Sequence, residues 1–130
     1  MEKDQIKIVV IEDEPDTAEM IAEMMRISGY NVIKNLNSIT ALDQIKLEHP
    51  AAVILDVMMP DLSGLDILRR LRSIPEYQTL PVIVVSALNF GTDIQEGFAA
   101  GATVYLPKPV SYAELKQAVE KVISIDKPKT

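Results

Sequence analysis

The stretch Ala51-Ala52-Val53-Ile54-Leu55-Asp56-Val57-Met58-Met59-Pro60 constrains this chain more than any other. Apolar residues run without polar alternation into a single carboxylate, and a proline follows soon after. A run of this kind is a strand buried on both faces, as in the middle of a parallel sheet. An aspartate at its last position emerges at the carboxyl end of that sheet, where open α/β folds place their chemistry.

The flanking segments supply companions for such a strand. Ile6 to Ile11 reads as a strand that ends in Glu12-Asp13-Glu14-Pro15-Asp16. Pro15 suits the first position of a helix, and acids there favour the positive end of its dipole. Met20, Ile21, Met24, Met25 and Ile27 recur at helical spacing and predict an amphipathic helix closed at Ser28-Gly29. Asn31 to Leu36, interrupted by Lys34 and Asn35, predicts an edge strand. Ser38 is the expected cap of the second helix, with Ile39, Leu42, Ile45 and Leu47 as its apolar face and His49-Pro50 as its end.

After Asp56, a loop through Pro60-Asp61-Leu62-Ser63-Gly64 leads to a helix carrying Leu65, Ile67, Leu68 and Leu71. A loop from Pro75 to Pro81 precedes a second wholly apolar strand, Pro81 to Ser86, which ends in a hydroxyl. Thr92-Asp93-Ile94-Gln95 matches a capping box for a short helix closed by Gly101, the element expected to be least rigid. Thr103 to Leu106 is the last strand, and Ser111-Tyr112-Ala113-Glu114 caps a helix with Leu115, Ala118, Val119, Val122 and Ile123 inside. Five strands alternating with five helices predict an α/β fold, a doubly wound (βα)5 sandwich. Right-handed crossovers and one reversal across the sheet give the flavodoxin-like parallel order 2-1-3-4-5.

Composition narrows the chemistry. At 130 residues the chain makes one domain. Cysteine is absent and His49 is the only histidine, which excludes a thiol nucleophile and argues against zinc. A net charge of −6 argues against direct nucleic-acid binding. Arg69, Arg70 and Arg72 are the only tight basic group, and helical spacing spreads them over a solvated face. Neither a signal peptide nor a membrane-length apolar run is seen, so a cytoplasmic location away from membranes is expected.

In the expected fold the carboxyl edge gathers Glu12, Asp13, Asp56, Ser86 and Lys108. Three carboxylates close together cannot all stay ionised without a counter-charge. An oxygen-only shell suits Mg²⁺, which also accepts phosphate oxygens. With a lysine and a hydroxyl as anion donors, the set points to phosphoryl transfer, with Asp56 as nucleophile.

Glu-Asp-Glu after the first strand, Asp56-Val57-Met58-Met59-Pro60-Asp61 with Gly64, Ser86-Ala87, and Tyr105-Leu106-Pro107-Lys108-Pro109 resemble the receiver domain of two-component response regulators. The resemblance covers residues 1–125 and leaves 126–130 as a tail or the start of a linker. It implies that Asp56 accepts a phosphoryl group from a phosphohistidine on a sensor histidine kinase or phosphotransfer protein. Asp13 would bind Mg²⁺ directly, Glu12 through a water, and the Met58 carbonyl would be a further ligand. Lys108 would pair with phosphoryl oxygens, and its bond to Pro109 would be cis. Ser86 and the Ala87 N–H would hydrogen-bond the phosphoryl group, and Tyr105 would turn into the space Ser86 leaves. The face of the fourth helix, fifth strand and fifth helix would then pass the signal to an output domain or a homodimer partner.

Three departures from the family pattern stand out. Glu12 replaces the more common aspartate. Met58 and Leu88, two residues beyond Asp56 and Ser86, are apolar where some members orient a hydrolytic water, so a long-lived phosphoryl-aspartate is expected. Rival readings fit less well. A dehalogenase-type hydrolase needs a second aspartate where Met58 stands, and an FMN carrier would not place acids after its first strand. A phosphorylation-independent interaction module of the same fold remains the alternative.

Overall fold

The computed structural model describes residues 6–126. In chain order these residues form β1 (Lys7–Ile11), α1 (Pro15–Ile27), β2 (Asn31–Asn35), α2 (Ser38–Glu48), β3 (Ala52–Leu55) and α3 (Gly64–Arg72). A 3₁₀ turn (Pro75–Tyr77) then precedes β4 (Val82–Ser86), α4 (Gly91–Ala100), β5 (Val104–Pro107) and α5 (Tyr112–Asp126). The strands are all parallel, in the order β2-β1-β3-β4-β5. The three most apolar strands, β1, β3 and β4, are central, as expected. The last helix runs one residue past the expected boundary, and the rest of the expected tail, 127–130, lies outside the described residues.

The lack of polar alternation in the central strands has a direct structural cause. Successive side chains point to opposite faces of the sheet, and both faces are covered. Ile8, Val10, Ile54, Ile83 and Val85 pack with Ile21, Met25, Leu115 and Val119 beneath α1 and α5. Val9, Ile11, Val53, Leu55, Val82 and Val84 pack with Ala41, Ile45, Ile67, Leu68 and Leu71 on the other face.

Several local expectations need correction. On α1 the buried stripe is Ala18, Ile21, Ala22 and Met25, whereas Met20 and Ile27 are exposed. These four residues form one face of the helix, and Met20 and Ile27 fall outside it. On α2 the buried residues are Ser38, Ala41 and Ile45, and Ile39 and Leu47 face solvent. Its cap is Asn37, whose side-chain oxygen accepts the Ile39 N–H at 2.9 Å, so Ser38 is not the cap. The fourth helix starts at Gly91, before the expected Thr92 cap, because the Asp93 carboxylate reaches back to the Phe90 N–H at 3.2 Å. The capping box at α5 is as expected, with Ser111 and Glu114 each accepting the other's backbone N–H.

Arg72 is also not the solvated residue that spacing implied. It is half-buried, and its guanidinium donates to the Gly101 carbonyl from Nε at 3.0 Å and from Nη2 at 2.7 Å. Nη1 donates to the Tyr77 carbonyl at 2.7 Å. Gly101 is the left-handed cap of α4, with φ +118°, and a Cβ there would come within 2.6 Å of the Arg72 side chain. Arg72 therefore ties the end of α3 to the end of α4. Arg72→Leu should lower the free energy of unfolding by about 2 kcal/mol, since it strands two carbonyls that now receive charged donors. Urea denaturation at neutral pH measures this directly.

Candidate functional site

Backbone register delivers the chemical groups to one place. Beyond the ends of the strands the ladder continues for one more bond at three junctions. The Glu12 N–H donates to the Asn35 carbonyl (3.1 Å), Asp56 N–H to the Ile11 carbonyl (3.0 Å), and Lys108 N–H to the Ser86 carbonyl (2.9 Å). Each functional residue is thus fixed by the last rung of the strand it follows.

The side chains converge accordingly. Glu12 and Asp56 are almost fully buried, at 2% and 5% exposure. The Lys108 ammonium lies 2.6 Å from Glu12 Oε1 and 3.3 Å from Asp56 Oδ2. Glu12 Oε2 accepts the Glu14 N–H at 3.2 Å, and Asp56 Oδ1 accepts the Met58 N–H at 3.1 Å. All four carboxylate oxygens therefore have donors. Oxygens of Glu12, Asp13 and Asp56 lie within 4.8 Å of one another, with Asp13 half-buried at the opening.

This arrangement shifts two ionisations. Burial pushes the Glu12 carboxyl above its usual range; the Lys108 hydrogen bond opposes that shift, and the Asp56 charge adds to it. Burial disfavours the Lys108 ammonium, but the bond to Glu12 and the field of Asp56 outweigh it and raise its pKa. Three hard oxygen donors around one point fit a small divalent cation better than any soft metal. Lys108 supplies the positive charge that such a cation would otherwise bring.

Around this centre, Ser86 is fully buried at the end of β4, and its hydroxyl accepts the Leu88 N–H at 3.0 Å. The Tyr105 hydroxyl donates to the Leu88 carbonyl. Burial pushes the Tyr105 phenol up. Both expected switch residues thus hold the backbone of Leu88, a link that the apolar side chain of Leu88 gave no reason to suspect. The Tyr105 ring also lies against Gly97 of α4, where a Cβ would approach two ring carbons to 2.7 Å. The Lys108–Pro109 bond is cis, as the resemblance implied. The structure therefore gathers Glu12, Asp13, Asp56 and Lys108, and joins Ser86 of β4 and Tyr105 of β5 to the backbone of the adjoining loop at Leu88.

A family model for the response regulator receiver domain matches residues 8–120. The chain belongs to this family. It is 35% identical over 123 residues to the response regulator MprA of Mycobacterium bovis, covering 95% of this chain and 53% of that protein. A Mycobacterium tuberculosis relative named "Probable transcriptional regulatory protein TcrX" is 37% identical over 110 residues, 85% of this chain and 46% of its own length. The chain thus spans about half the length of these relatives. Among solved structures, the Francisella response regulator 1452 receiver domain superposes with a TM-score of 0.87 at 30% identity, covering 94% of this chain and 99% of that one. This is a receiver domain of two-component signalling, a signalling module. Among the described residues, no helix is long and apolar enough to cross a membrane.

A cation held by these carboxylates would compete with a proton at Glu12 and with the ammonium of Lys108. A proton competes for Glu12 above the ordinary carboxylate range, so Mg²⁺ affinity should fall on acidification earlier than an unshifted glutamate would dictate. Lys108→Met removes the competing ammonium. It should tighten Mg²⁺ binding several-fold in a calorimetric titration, while lowering the urea midpoint of the metal-free protein by leaving Glu12 and Asp56 uncompensated.

Proposed function

We propose that the domain accepts a phosphoryl group on Asp56 from a phosphohistidine of a sensor histidine kinase or phosphotransfer protein, in a Mg²⁺-dependent reaction. The observation that carries this reading is the Lys108 ammonium held between two buried carboxylates, with a third at the opening. An Asp56 carboxylate oxygen attacks phosphorus, the P–N bond to the donor imidazole breaks, and the acyl phosphate forms. Asp56 is oriented by the Met58 N–H, and Lys108 is already within reach of any oxygen attached there.

The proposed ligands of Mg²⁺ are Asp13, Asp56 and the Met58 carbonyl, with Glu12 acting through a water. When bound, the cation would neutralise charge on the transferring phosphoryl group. Ser86 then exchanges the Leu88 N–H for a phosphoryl oxygen, beside the Ala87 N–H. Tyr105, freed from the Leu88 carbonyl, turns inward, and the α4–β5–α5 face changes shape. We assign the receiver unit to residues 1–125, with 126–130 as a tail or linker start. The proposed location is the cytoplasm. In a longer protein the switched face would address an output domain or a second copy of the chain, without contacting nucleic acid itself.

Acetyl phosphate with Mg²⁺ should add one phosphoryl mass to the protein, and Asp56→Asn should abolish the adduct. No adduct from either acetyl phosphate or a phosphorylated donor protein would favour a phosphorylation-independent interaction module.

The side chains of Met58 and Leu88 are exposed and apolar, so neither can orient a hydrolytic water. Phosphoryl-Asp56 should therefore be long-lived, and Met58→Asn should shorten its lifetime several-fold. An unchanged decay of the adduct, timed by intact mass, would count against this.

A further inference from the structure

Asn37 takes over the capping of α2, and this leaves the hydroxyl of Ser38 available for another task. Ser38 is 4% exposed, and its hydroxyl spans to the loop after Asp56. It donates to the Pro60 carbonyl at 2.9 Å and accepts the Leu62 N–H at 3.2 Å. Those same two groups also bond each other, Leu62 N–H to Pro60 carbonyl at 2.8 Å, closing a three-residue turn about Asp61. Asp61 has φ +67°, the left-handed side on which such a turn is rare and strained. One hydroxyl thus grips both ends of this turn.

The turn sits two residues from Met58, whose N–H orients Asp56 Oδ1. The far end of the loop is locked separately. The Gly64 N–H donates to the Val57 carbonyl at 3.1 Å, and Gly64 packs so closely that a Cβ would lie 2.2 Å from the Asp56 carbonyl oxygen. Between these fixed points, Ser38 holds the loop from outside. Three residues before it in the chain, the Asn35 carbonyl receives the N–H of Glu12. The segment from Asn35 to Ser38 therefore fastens both acidic loops to one junction. The Asn35 side chain stiffens that junction through Asn37 N–H (2.8 Å) and Thr40 Oγ1 (3.2 Å).

We propose that Ser38 is a positioning residue for the cation and phosphoacceptor centre, setting the Met58 backbone against Asp56. This rests on the function proposed above. Ser38 touches neither cation nor phosphoryl group; it acts through the turn. Without its hydroxyl the Asp61 turn relaxes, and the Met58 backbone no longer holds one position relative to Asp56.

The test compares Ser38→Ala and Ser38→Gly, which both lack the hydroxyl but differ in helix propensity, with the unmodified protein. Mg²⁺ affinity is measured by calorimetry where urea curves show each protein folded, and amide exchange is followed at Met58. Both variants should bind Mg²⁺ about tenfold more weakly, as removal of groups that orient metal ligands commonly does. Met58 exchange should accelerate beyond what the loss of global stability explains. A folded variant with unchanged Mg²⁺ affinity, or one whose Met58 exchange merely follows global unfolding, would overturn the role of Ser38. Failure of the unmodified protein to bind Mg²⁺ or take up phosphate would instead overturn the functional reading itself.

Discussion

Two carboxylates, Glu12 and Asp56, are buried at neighbouring strand ends, and the Lys108 ammonium, 2.6 and 3.3 Å away, makes that burial tolerable. A buried charge without a partner costs several kcal/mol, and two of like sign side by side cost more. The lysine cancels part of that cost, and two backbone N–H groups satisfy the remaining oxygens. The balance is poised. A divalent cation offers the carboxylates twice the charge at similar distance, and a phosphoryl group on Asp56 offers the lysine a stronger acceptor. In the proposed function, the same ion pair that supports the resting fold would respond to each ligand of the site.

The surrounding structure could carry such a response, because its contacts are made by backbone as much as by side chains. Leu88 is held at its N–H by Ser86 and at its carbonyl by Tyr105, so displacing one affects the other. The Tyr105 ring meets α4 at Gly97, where the missing side chain gives it room. The C-terminal end of α4, one turn beyond Gly97, is tied to α3 through Arg72 and the Gly101 carbonyl. That end of α4 is thus anchored, and the loop leading into the other bears on Ser86 and Tyr105. The sequence suggested only that this helix would be the least rigid element.

Much of this was legible from residue order. Unbroken apolar runs ending in Asp56 and Ser86 can satisfy both faces of a strand only inside a covered parallel sheet. Parallel strands need crossovers, and right-handed crossovers leave few orders to choose from. The helix faces were less legible. Met20, Ile27, Ile39 and Leu47 have apolar side chains and helical spacing, yet they face solvent because Ala18, Ile21, Ala22 and Met25 on α1 and Ser38, Ala41 and Ile45 on α2 form the buried faces. Hydrophobicity marks which residues can be buried; closeness of packing decides which are.

The chain by itself determined the α/β class, the strand order and the acids, lysine and hydroxyl at one edge, because periodicity and strand termini are local properties. Only the tertiary structure decided how those groups are held. The Ser38 clamp on the Asp61 turn, the Arg72 bridge between helix ends and the Tyr105 bond to Leu88 join residues 22, 29 and 17 positions apart, and each uses main-chain atoms. Backbone carbonyls and N–H groups are the same at every position, so no side-chain pattern could announce which of them would be used.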